Sequence, residues 1–174
     1  MNSTAIVPII LRLIGLALLQ GLVLKGASTF FGGYYFHIIL FPLFIITMPF
    51  SVSRPVHMIL AFLLGLFVDM FYNTPGIHAS ASVFTAYVRP LILGWFEPRE
   101  GYNINDEPTK KDYGFTWYAK YSSVMMLLHL FFYYSVESFT YYYIVDILLR
   151  TASSFVLSMF FLLLAAIPLK TKPR

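Results

Sequence analysis

The stretch LLGLFVDMFYNTPGIHASASVFTAYVRP, residues 63–90, decides how this chain folds. It is as apolar as lipid on both sides of a Thr-Pro-Gly corner, yet it carries Asp69, His78 and Arg89. Pro75 fixes φ and Gly76 permits a tight turn, so two antiparallel helices are expected to meet there. Ala61, Gly65 and Asp69 are spaced by four and share one face of the first helix. His78, Ser82, Thr85 and Arg89 share one face of the second. Small residues on the first face admit a close neighbour. An ionisable group at membrane depth is costly unless it meets protein, water or another polar group. Asp69 and His78 are therefore expected within hydrogen-bonding reach across the corner. Either they satisfy each other and pin the hairpin, or they recognise a partner.

Working outward, the same character holds along the 174 residues: 59% are hydrophobic and 11% charged, with a mean hydropathy of +0.73. A water-facing fold of this size needs a polar shell that these residues do not supply. The chain is expected to be an all-α polytopic membrane protein. Apolar runs near the length needed to cross ~30 Å of hydrocarbon lie at about 5–24, 34–49, 57–73, 77–96, 117–136 and 141–168, which predicts six transmembrane helices in a single integral membrane domain. The first lacks the basic flank and small-residue cleavage site of a secretory signal, so it is read as a retained helix. Residues 97–115 are polar, rich in Pro, Gly and Asn, and read as a solvated linker loop.

Lys and Arg in short loops mark the cytoplasmic side. With both termini inside, that side collects Arg54, Arg99, Lys110, Lys111, Lys120, Lys170, Lys172 and Arg174, against Lys25 alone outside. The net charge of +4 thus speaks to orientation in a bilayer and to membrane lipids, and no basic-aromatic strip for nucleic acid is present. Asp146 and Arg150 stand at i, i+4 with the acid first, and are expected to form an intramembrane ion pair. Arg12 is expected to snorkel to the interface on its long stem, and snorkelling is the plain alternative to a specific role for Arg89. Aromatic residues at the span ends, such as Tyr34, Tyr35, Trp95 and Trp117, suit the headgroup belt.

The chemistry of catalysis is missing from the sequence. There is no cysteine, no HExxH or other metal-ligand spacing among His37, His57, His78 and His129, and no phosphate-binding Gly-Lys-Ser/Thr loop. Neither a metal nor another cofactor is expected, and the chain is read as a non-enzyme.

Arg54-Pro55, GLFVD ending at Asp69, TPGIHA at 74–79 and AYVRP at 86–90 together resemble the central hairpin of the rod shape-determining MreD family. The resemblance is concentrated in residues 54–90, while length and span pattern agree over the whole chain. It singles out Gly65, Asp69, Gly76 and His78 as motif positions. It implies a bacterial inner-membrane scaffold of the cell-elongation complex, which organises peptidoglycan synthesis. The implied partners are an MreC-like periplasmic scaffold, an MreB-like actin filament and the rod-complex glycosyltransferase and transpeptidase. It also implies a six-helix fold similar to the S components of energy-coupling-factor transporters. A small-molecule-binding subunit or transporter of S-component type is the alternative, with Asp69, His78 and Asp146 lining a polar cavity.

Overall fold

The computed structural model describes residues 3–30 and 36–167, which form helices and no strand. Residues 34, 35 and 168 of the expected spans, and the tail cations Lys170, Lys172 and Arg174, lie outside the described residues. Helix α1 (Ser3–Leu18) runs through a π-helical turn, Leu19–Leu24, into α2 (Lys25–Phe30). The short α3 is Pro42–Ile46, and the long α4 (Arg54–Tyr72) and α5 (Ile77–Trp95) follow. A four-residue α6 (Lys110–Tyr113) precedes α7 (Phe115–Ser138) and α8 (Ile144–Ala166).

Among the described residues three stretches are long and apolar enough to cross a membrane: Val7–Phe30, Arg54–Tyr72 and Ile144–Ala166, with mean hydropathies of 2.2, 1.8 and 2.0. Helices α5 and α7, with 19 and 24 residues, are ~28 and ~36 Å long at 1.5 Å per residue. Their buried faces carry His, Ser, Thr, Tyr and Arg, which lowers their hydropathy. Helix α5 packs on both α4 and α7, and α7 packs on α8.

The second expected span is not one helix. Residues 36–40 are extended, and only the five residues of α3 are helical within 36–46. This stretch is the centre of the molecule: Phe41, Ile45 and Ile46 are completely buried, and α3 touches α1, α4, α5 and α7. Non-helical backbone at membrane depth is tolerable where protein surrounds it. The surrounding helices meet that condition here.

The loop at 97–109 also departs from expectation, because it folds back onto the end of the bundle. Phe50 N–H donates to Asp106 O at 3.3 Å, and Phe50 stacks on Tyr102 with ring centres 4.7 Å apart. Tyr113 and Trp117 extend the aromatic cluster. The Tyr102 hydroxyl donates to Leu93 O at 2.8 Å, and burial, reinforced by Tyr121 and Glu97, holds its pKa above the ordinary phenol value. It stays a donor across the neutral range.

Candidate functional site

The sequence-predicted corner is built around one carboxylate. Helix α4 ends at Asn73 in the left-handed region (φ 54°), and Gly76 (φ 88°) sits just before α5. Asn and Gly adopt this conformation most readily, so the two residues turn the chain at little cost. The turn aims the unpaired N–H groups at the start of α5 back towards α4. Asp69, the last acid of α4, lies under them. Its Oδ2 accepts from Gly76 N–H and Ala79 N–H, both at 3.0 Å. Its Oδ1 accepts from His78 N–H at 2.9 Å and from the Thr74 hydroxyl at 3.0 Å. His78 Nδ1 completes the set at 2.9 Å from Oδ1. An ionised carboxylate only accepts, with about four lone-pair sites on its two oxygens, so the three contacts at Oδ1 share acceptor sites and the carboxylate has no proton of its own to place. The network therefore fixes the hydrogen of His78 on Nδ1.

Asp69 is thus an N-cap supplied by a neighbouring helix. It satisfies backbone groups that a helix ordinarily leaves open and places negative charge at the positive end of α5. With Asp69 and His78 only 3% and 1% exposed, the pair lies inside the protein. The imidazole is packed by the rings of Tyr72 and Tyr133, each 4.8 Å away, and by Phe41 at 5.7 Å.

Gly65 explains how α4 and α5 come so near. A Cβ there would lie 2.5 Å from Ala79 Cα and 2.6 Å from His78 O, both backbone atoms that cannot rotate away. Gly65→Ala is therefore expected to push the helices apart and destabilise the protein by ~1–3 kcal/mol, the usual cost of overpacking. Equilibrium unfolding of the purified protein in mixed micelles would measure it, and a wild-type midpoint would show that the close approach is dispensable.

Sequence reasoning missed a second polar device, which holds residues 36–41. In an extended chain successive N–H groups point to opposite edges. Here both edges are covered by side chains. On one edge Ile38 N–H donates to Ser28 Oγ (3.0 Å) and Leu40 N–H to Gln20 Oε1 (2.8 Å). On the other, His37 N–H donates to Ser154 Oγ (3.1 Å) and Ile39 N–H to Ser158 Oγ (2.9 Å). Gln20 Nε2 donates back to Ile38 O and also to Tyr72 Oη, both at 2.9 Å. The amide of Gln20 therefore bonds the extended chain as a neighbouring strand would. The signals were present in the sequence: Gln20 is the one amide in its apolar run, and Arg150, Ser154 and Ser158 are spaced by four.

The arginines serve the far end of this segment. Arg89 is 5% exposed and does not snorkel. Its Nη2 donates to Met48 O and its Nε to Tyr121 Oη, whose hydroxyl donates to Ile46 O at 3.0 Å. Arg12 Nη1 lies 3.4 Å from Thr47 O, and its Nη2 pairs with Glu107 of the loop at 3.2 Å. Two cations thus stand at the carbonyl end of α3, where the helix dipole favours them. At the corner end, Lys25 Nζ donates to Phe71 O at 2.6 Å, which caps α4 in the same way.

Arg150 Nη2 lies 2.7 Å from Glu137 Oε2, so a carboxylate of α7 meets the guanidinium of α8. The guanidinium lies 4.5 Å over the ring of Tyr134, and the Tyr134 hydroxyl is 2.6 Å from Ser154 Oγ. Asp146 is half-buried one turn before Arg150. The buried polar groups thus form two linked assemblies, the corner and the clasped segment, joined where Gln20 bonds Tyr72 beside His78. Comparison of the chain with models of protein families, with curated proteins and with solved structures finds no match.

Proposed function

We propose that the chain is a non-enzymatic scaffold subunit of the bacterial cell-elongation complex, with six membrane crossings and both termini in the cytoplasm. The second crossing is the clasped segment. Residues 36–41, extended at ~3.3 Å per residue, and α3, at ~1.5 Å per residue, together cover ~27 Å, close to the hydrocarbon thickness. The five long helical stretches make the other crossings, which places the corner outside and the docked loop inside.

Two things support the functional reading: the resemblance of residues 54–90 to the MreD family, and the use to which the corner's polar groups are put. The observation that carries it is that Asp69 spends five hydrogen bonds on shaping the hairpin, which suits presentation of a rigid external corner to a protein partner. Recovery of the tagged chain from native membranes is expected to bring with it an MreC-like scaffold, together with MreB-like filament and rod-complex synthase and transpeptidase. Asp69→Ala and His78→Ala should each weaken the MreC-like association, and the double change should cost less than their sum because the two share contacts. Strictly additive losses would show that the two residues act separately, and recovery of none of these partners would refute the scaffold reading.

A small-molecule-binding subunit of S-component type is the second reading. It is favoured by the unwound segment at mid-bundle, a feature of transporter sites where broken helices offer backbone groups to a ligand. Stabilisation of the purified protein by a small polar solute would decide for it.

A further inference from the structure

Arg89-Pro90 is accounted for by the end of α3; the other Arg-Pro pair, Arg54-Pro55, is not. Arg54 opens α4, is exposed, and makes no hydrogen bond or ion pair among the described residues. It stands in a groove of about 500 Å3 between α4 and α5, otherwise lined by Met58, Tyr87, Val88, Pro90 and Leu91 among others. Among the described residues no acidic side chain lines this groove. The groove follows from the corner: Gly65 brings α4 and α5 into backbone contact near Asp69, and towards Arg54 the facing residues are bulkier.

We propose that this groove is a binding site for an anionic phospholipid, with the phosphate on the Arg54 guanidinium and acyl carbons along Met58 and Leu91. The proposal rests on the chain being membrane-embedded, and it is independent of the scaffold reading. Charge complementarity selects the occupant. A lone cation with no acid beside it favours a net-negative headgroup over a zwitterionic one, whose ammonium would meet no carboxylate here. Depth agrees, because Arg54 begins its helix while Tyr87 and Leu91, 70% and 60% exposed, continue the groove inward as an apolar wall. Arginine also suits phosphate geometrically, through its planar fork of donors.

The test is native mass spectrometry of the full chain released from micelles containing equal phosphatidylglycerol and phosphatidylcholine. The wild type is expected to retain one phosphatidylglycerol preferentially. Arg54→Gln should lower that preference about fivefold, the weight of one basic residue near an anionic lipid surface, and Arg54→Lys should keep most of it. Leu91→Trp, at an exposed position outside the core, should block retention of the lipid without unfolding the bundle. Equal retention of the two lipids, or an unchanged preference in Arg54→Gln, would overturn the proposal. So would a photocrosslinker at residue 91 that captures protein in native membranes and no lipid.

Discussion

Asp69→Asn is expected to destabilise the protein by ~2–6 kcal/mol, at ~1–3 kcal/mol for each of the two or more buried donors left without an acceptor. The substitution is nearly isosteric, so packing does not explain the loss. An amide offers one acceptor oxygen where the carboxylate offers two. Whichever way it is turned, its NH2 group faces donors: Gly76 and Ala79 N–H on one side, or His78 N–H, His78 Nδ1 and Thr74 on the other. The start of α5 then loses its cap and its neutralising charge together. His78→Ala removes the imidazole donor and its ring packing but leaves the backbone bonds of Asp69 in place, so it should cost distinctly less. Equilibrium unfolding of both variants in the same micelles gives the comparison. Equal losses would show that the imidazole, and not the capped backbone, holds the corner, and a wild-type midpoint for Asp69→Asn would remove the carboxylate from the account of the fold.

The hairpin could be read from the sequence because its polar residues repeat every four positions and its turn chemistry is local. Its chief bonds could not. They depend on Gly76 being left-handed, which turns three backbone N–H groups of one helix onto a side chain of another. The sequence suggests a helix in the second span because hydropathy measures burial and is blind to conformation. FHIILFPLFIITM is apolar enough to be a membrane helix, yet Ile38 and Ile39 are β-branched and Pro42 interrupts it. Once that span is extended, Arg12 and Arg89 acquire carbonyls to cap. Without α3 in view, the sequence favours snorkelling for Arg12 and leaves the role of Arg89 open. The charges of the loop predict a solvated segment, while Tyr102, Tyr113 and Trp117 carry the contrary signal of an aromatic docking cluster.

Gln20→Leu is expected to match the loss at Asp69, although the side chains are close in size and leucine suits a membrane helix better by hydropathy. The substitution strips partners from Leu40 N–H, Ile38 O and the Tyr72 hydroxyl. At ~1–3 kcal/mol for each buried group left unsatisfied, the two backbone groups, with the part-buried Tyr72 hydroxyl beside them, outweigh any gain in transfer of the side chain to lipid. Hydrogen exchange can locate the damage as well as size it. The two edges of residues 36–41 are held from opposite sides, so Gln20→Leu should speed exchange at Leu40 while Ile39, bonded to Ser158 of α8, is slower to follow. Ser158→Ala should invert the order, freeing Ile39 first and leaving Leu40 on Gln20. Indistinguishable exchange at residues 39 and 40 in both variants would mean that the segment opens as one unit, and the alternating clasp would then not be what holds it.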